Sequence, residues 1–377
     1  MNIIPIRDVG VYHDSDVNLW HFGRIQDYAG LSFRYPDYFL KSDNLNNFLQ
    51  SSYSLKFACY HVAFPVNDEW VERFFQTYQY VTHSFVVCSE LHEFTVNQLL
   101  RLDLPNVSIF ICGFINYEFK HAKINQWMDW FITTAHFYKK LYPDFLNTKL
   151  NTNANKPKLF DILLGCQRTH RDYIFDYIQT NNLDTVSVMT YHRRWNLDLR
   201  QTDFITEIDG VDFLETDPQH TIHQIKYYGY RMALSQVVPL IIYNKTYYSV
   251  VAETNAFNSF NFYTEKIVKP ILAGRIFIVI AGKGYLKNLR SLGFQTFGDI
   301  IDETYDNEDD DITRWNKAMN QVKFLSTLDP SDVCKKAQAI TIHNQKIMLT
   351  NDWEGDFFNK LTAHVDAYLT SDHRAVG

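Results

Sequence analysis

The feature that most constrains this chain is an alternation of short apolar runs with helix-patterned segments. Three runs of strand length occupy the first third: Leu55–Phe64 (LKFACYHVAF), Phe85–Ser89 (FVVCS) and Val107–Phe114 (VSIFICGF). Each is rich in Val, Ile, Phe or Cys, as a strand buried on both faces must be. Between the first two, Asn67–Thr82 carries Trp70, Val71, Phe74, Phe75 and Tyr78 at helical spacing, and Glu90–Leu102 fills the next gap. Strand, helix, strand, helix, strand requires a parallel sheet. An aromatic segment, about Ile124–Leu141, reads as a further helix ending at Tyr142-Pro143.

The alternation then restarts. Asn147–Pro157 (NTKLNTNANKP) is polar, Asn-rich and closed by a proline, which marks a linker. After it come a strand at Lys158–Gly165, a helix at Gln167–Gln179 and a strand at Thr185–Met189. Further on lie a strand around Ser249–Ala252, a helix at Thr264–Leu272, a strand at Arg275–Ala281 and a helical segment over about Pro330–Leu369. The expected fold is α/β with two Rossmann-like domains, residues 1–150 and 151–377. A length of 377 residues suits two domains.

Composition narrows the function classes. Charged residues at 21% and hydrophobic residues at 46% exclude disordered, collagen-like and coiled-coil chains. A net charge of −7 disfavours a surface coated with phosphate-neutralising charge, although a local basic groove stays open. Aromatic residues make up 16%, against only 14 Gly and 10 Pro, so aromatics must fill cores or form ligand platforms. The five cysteines, Cys59, Cys88, Cys112, Cys166 and Cys334, include no CxxC pair, and the first four sit in apolar strand-like runs. Free buried thiols in a cytoplasmic protein are expected, with neither zinc site nor disulfide framework. The N-terminus lacks a signal-peptide pattern and no window approaches a membrane span. Asn307–Asp311 (NEDDD) reads as a solvated loop.

Two sites carry chemistry. The first is Gly165-Cys166-Gln167-Arg168-Thr169-His170-Arg171, where a strand ends in glycine and a helix begins. Such a turn aims backbone N–H groups past the carboxyl end of the sheet, where anions bind. Arg168 and Arg171 share the first turn against the helix dipole, and a diphosphate would compensate them. Neither GxxxxGK[ST] nor GxGxxG is present, so a Walker loop and dinucleotide oxidoreduction are not supported. In the second site Glu253 ends a strand, and ten residues on comes Tyr263-Thr264-Glu265-Lys266 at a helix start. Thr264 is placed as N-cap and Gly274 as the residue after the helix. Glu265 suits the helix dipole and the hydroxyls of a ribose; Lys266 suits a phosphate.

Glu253-Thr254-Asn255, then Phe262-Tyr263-Thr264-Glu265-Lys266, then a helix ending in Ala-Gly and a buried strand, resembles the donor-binding motif of α-1,3-fucosyltransferases, and more weakly that of exostosin-type transferases. The resemblance covers about Tyr248–Gly282 and extends loosely to Lys158–Arg171. It implies GT-B architecture, with a cleft between the domains and a nucleotide-diphosphate sugar held by the C-terminal one. By position it gives Glu265 to the donor ribose, Lys266 with Arg168 or Arg171 to the diphosphate, and Glu253 to the sugar or ribose. The sequence departs from the family at Asn261-Phe262-Tyr263, where the family has an acid before Tyr and Val, and at Arg275-Ile276-Phe277, where it has a small residue, Val and Pro.

An inverting transfer needs a general base, expected at a strand end of the N-terminal domain: His61, Glu90, or His13, Asp14 and Asp16 of YHDSD. No cofactor or metal is implied, because arginine and lysine can stabilise the leaving diphosphate. The expected partners are the nucleotide-sugar and either a glycan or a phage-type hydroxymethylated DNA pyrimidine. A basic groove using Trp127, Trp130, Lys139 and Lys140 would favour DNA. Gly282-Lys283-Gly284-Tyr285 is expected to face the site, and Asp299–Asp302 to end a further strand. The alternative is a non-catalytic sugar- or nucleotide-binding module of two domains.

Overall fold

The computed structural model describes residues 4–7, 56–62, 68–88, 91, 93–151, 155–192, 211–215 and 224–374. The chain forms two units: Met1–Ile132 together with Asp352–Gly377, and Thr133–Asn351. The division therefore does not fall at the Asn-rich stretch near residue 150. The chain passes from one unit to the other twice.

The first unit is built on a parallel sheet of five strands in chain order: β1 (Ile4–Arg7), β2 (Lys56–Val62), β3 (His83–Cys88), β4 (Val107–Ile111) and β5 (Lys123–Gln126). Helix α1 (Asp68–Tyr78) connects β2 to β3 and α2 (Glu93–Leu100) connects β3 to β4, as the apolar spacing requires. Val71 and Phe74 of α1 are fully buried, as is every residue of β3 and β4. The segment expected to be one helix over Ile124–Leu141 splits. Ile124 pairs with Ile109 in the sheet, and only Asp129–His136 (α3) is α-helical before a π-helical turn at Phe137–Leu141. Ladder pairing outweighs helix propensity here.

The last helix, Trp353–Arg374, completes this first unit rather than the second. Its Phe357 meets Trp127 at 4.3 Å and Phe110 at 5.1 Å between ring centroids, and Trp353 meets Phe131 at 5.3 Å. His364 lies 5.8 Å from His83. Trp127 and Trp130 are buried, and Lys139 donates to the carbonyl of Asn351, so the tryptophans of the expected basic groove are core residues.

The second unit holds a four-stranded parallel sheet of β6 (Lys158–Cys166), β7 (Ser187–His192), β11 (Thr246–Ala252) and β12 (Ile276–Ile280), in the order β12-β11-β6-β7. A separate antiparallel sheet, β8 (Val211–Glu215), β9 (Gln224–Tyr227) and β10 (Tyr230–Ala233), was not legible from the sequence. Helix α4 (Thr169–Thr180) joins β6 to β7, and α5 (Glu265–Leu272) joins β11 to β12. Chain order reverses between β6 and β11. Their carboxyl ends form a topological switch point, the place where open α/β sheets bind ligands.

A buried ion pair fastens the opposite half of this sheet. Arg275 Nη2 lies 2.5 Å from Asp161 Oδ1, its Nε donates to Ser249 Oγ, and its Nη1 donates to the carbonyls of Tyr243 and Thr246. The guanidinium also lies 4.3 Å from the ring centroid of Tyr243. A large cation stands where the resembled family has a small residue because it straps three strands together.

Beyond the sheet, α6 (Tyr285–Ser291), α7 (Asp311–Leu325) and α8 (Pro330–Thr350) follow. Asp299–Asp302 does not end a strand. Asp302 instead caps a 3₁₀ turn at Glu303–Asn307 by accepting from Thr304 N–H. The acidic run finishes as a cap too, with Asp310 accepting from Thr313 N–H at the start of α7. The helical C-terminal segment breaks at Asn351-Asp352, between α8 and the last helix.

Candidate functional site

The switch point gathers the six residues expected to bind the donor. Strand β6 delivers Gly165 and Cys166, after which Arg168 takes the N-cap position of α4 in an extended conformation (φ −152°, ψ 151°). No side chain caps this helix, so its first-turn amides lack the acceptor that capping would supply. Arg171 folds back over the strand end: Nη1 donates to the Cys166 carbonyl at 2.8 Å and reaches Cys166 Sγ at 3.4 Å. Arg171 is 2% exposed. Its Nε is buried without a hydrogen-bond partner, as is that of Arg168. Among the described residues no carboxylate forms a salt bridge with either arginine. Burial lowers the proton affinity of Arg171, and Arg168 adds to the effect. Such a cation is electrostatically incomplete.

Strand β11 ends in Glu253, which is 0% exposed and fully engaged. Thr264 Oγ1 donates to Oε2 at 2.7 Å and Tyr285 OH to Oε1 at 2.8 Å. The amides of Thr254 and Thr264 add longer bonds. Burial pushes this carboxyl up, against Lys266 and the Thr264 hydroxyl. With both oxygens accepting hydrogen bonds, Glu253 ties the strand end to the helix start. Thr264 caps α5 as expected, accepting from Lys266 N–H.

Lys266 Nζ donates to Glu265 Oε1 at 2.7 Å and to the hydroxyls of Thr254 and Thr264 at 3.2 Å. Glu265 is 6% exposed, so a ribose would meet it already paired. Burial raises its carboxyl, but Lys266 and Lys269 outweigh that and bring it below its usual value. Glu265 also acts on Arg171, which ties the two halves of the site together.

The sequence gives no role to His170 or Lys269, and places Tyr285 only in a segment expected to face the site. His170 Nε2 lies 2.9 Å from the Glu253 carbonyl, which can only accept, so Nε2 carries the proton. Its Nδ1 is buried without a partner. Burial, with Arg171 beside it, lowers its pKa to about 3 and keeps the ring neutral. Lys269 donates to the Ser235 carbonyl, and burial brings it down to about 8. Tyr285 stacks on Tyr263 at 4.3 Å.

Beyond Glu253 the loop through Phe257 is anchored by buried donors. Arg314, 2% exposed, donates to the carbonyls of Ala256 and Ala281, and Trp315 Nε1 donates to the Ala256 carbonyl. Phe257 remains 44% exposed, edge-on to Trp315, which in turn lies 6.0 Å from His170. Tyr263 is buried and unavailable as a platform.

Of the candidate bases, Glu90, His13, Asp14 and Asp16 lie outside the described residues. His61 sits in β2, paired in register with Val87, and its side chain is not described. Among the described residues no group of His, Cys, Asp and Glu is placed to hold a metal ion, and no helix is long and apolar enough to cross a membrane. Compared with family models, with curated proteins and with solved structures, the chain matches none.

Proposed function

We propose that this protein is a glycosyltransferase that takes its sugar from a nucleotide-diphosphate donor and passes it to an acceptor hydroxyl. The observation that carries this reading is Arg171: a residue 2% exposed, its guanidinium without a carboxylate partner among the described residues, at the switch point of a parallel sheet. Arg168 and the uncapped start of α4 lie beside it. A diphosphate supplies the missing negative charge, and each charge-assisted bond contributes about 1.5–3 kcal/mol. The same cations stabilise the charge that develops on the leaving diphosphate as the glycosidic bond breaks. Lys266 reaches the site from α5, oriented by Glu265, and the Thr-Glu-Lys element resembles a donor-binding motif. Glu253 has no direct contact with the donor in this scheme; it holds the helix start in place.

The test is binding followed by turnover. Pyrophosphate and a panel of nucleoside diphosphates and their sugars are screened for thermal stabilisation, then for release of free nucleotide. Stabilisation is expected, with binding weakened roughly tenfold by Arg168→Gln, the equivalent of about 1.4 kcal/mol. No response to any diphosphate overturns the reading. Binding without nucleotide release in the presence of glycan or hydroxymethylated-DNA acceptors reduces it to a binding module.

A further inference from the structure

Cys166 was expected to be a buried free thiol, yet it is exposed at the carboxyl end of β6. Arg171 Nη1 lies 3.4 Å from its sulfur and donates to its backbone carbonyl. Arg168, two residues on, acts on the same thiol. Partial burial pushes the thiol up, but the guanidiniums of Arg171 and Arg168 outweigh it and bring the group below its ordinary value. Glu265 of α5 acts on Arg171, His170 beside it stays neutral, and the register partner of Cys166 across the sheet is His192 of β7. The side-chain acceptor that the Arg171 guanidinium reaches is therefore the Cys166 sulfur.

We infer that the thiolate of Cys166 is the resting counter-ion of Arg171 and Arg168, and that an incoming diphosphate displaces it. The inference rests on reading this site as a diphosphate site. Sulfur is a diffuse, weak acceptor, whereas phosphate oxygens form short charge-assisted bonds to guanidinium, so the exchange favours the ligand. Once displaced, the thiolate loses its stabilising cations to the ligand and takes up a proton from solvent. Diphosphate binding and protonation of Cys166 are then linked, and affinity falls as pH rises through the thiol's titration.

The experiment uses the full chain. Iodoacetamide, from which a thiolate displaces iodide, is reacted over about pH 6 to pH 9, and labelling of the Cys166 peptide is followed by mass spectrometry. The expected midpoint lies below the ordinary cysteine value of about 8.5, rises in Arg168→Gln, and labelling slows with pyrophosphate. Calorimetry of pyrophosphate binding is run in parallel on wild type and Cys166→Ser. The ligand's own titration is common to both proteins, so the difference isolates the thiol. Wild-type affinity is expected to fall by up to about tenfold per pH unit relative to the serine variant above the thiol midpoint. Pyrophosphate binding with identical pH dependence in both proteins, or a midpoint at the ordinary value, overturns the counter-ion role and leaves the diphosphate site standing. No pyrophosphate binding by either protein overturns both.

Discussion

At the scale of single residues, the site is an exercise in burying polar groups with and without partners. Glu253 has four donors and Thr264 satisfies both neighbours, so neither is free to react. Arg171 Nε lacks an acceptor and His170 Nδ1 lacks a donor. His170 yields a pH prediction. Its pKa in the folded protein is about 3 against an ordinary 6.5. Between those values the unfolded chain binds a proton that the folded chain does not, so stability falls as pH falls through that window. The slope is at most about 1.4 kcal/mol per pH unit. His83, in the first unit, is lowered to about 3 and His136 to about 4, both by burial first, and they act in the same direction. Urea unfolding at neutral pH and near pH 5 should show the loss, and His170→Gln should make it shallower. An unchanged slope in that variant would mean that the ring is protonated in the folded protein.

At the scale of elements, the strands were legible and the exact edges were not. A run such as Ile276–Ile280 reads as a buried strand because five consecutive apolar residues have no solvent face, and Val107–Ile111 reads the same way with only Ser108 polar. Thr264 before Glu265-Lys266 announced a cap, and a cap is a local interaction. Strand β5 was misread as helix because its Lys-Ile-Asn-Gln has little intrinsic preference and is fixed by pairing with β4. Cys166 looked like a core thiol because its strand is apolar, but sequence does not show where a strand leaves the core. The loop of Phe257 depends on a close backbone approach that no pattern reveals. A Cβ added at Gly282 would lie 2.3 Å from the Phe257 carbonyl oxygen and 2.9 Å from Asn261 Oδ1. Gly282→Ala is therefore expected to lower stability by about 1–3 kcal/mol, read as a reduced melting temperature. A wild-type melt would show that this loop yields freely.

At the scale of the whole molecule, each unit has its own parallel sheet, but only the second reverses its strand order among the described strands. That reversal singles out the ends of β6 and β11. The last helix belongs with the first unit, where Phe357 and Leu361 are buried against that unit's core. A chain ended at Asn351 would uncover Phe110, Trp127 and Phe131. It is expected to bind a hydrophobic dye and to lose the first unit's cooperative unfolding, while pyrophosphate still stabilises the second. Retention of both transitions would show that the helix is dispensable to that core.

Sequence by itself determined the α/β class, most strands, the cap at Thr264 and the two short motifs from which the site is built. These follow from hydrophobic period and local hydrogen bonding, which act over a few residues. Tertiary structure decided the rest: the strand order that brings His170 and Glu253 together across 83 positions of sequence, and the return of the last helix to the first unit. It also decided which of the charged residues are engaged and which are left incomplete. Those outcomes depend on pairing between distant segments and on burial, and neither is encoded in local pattern.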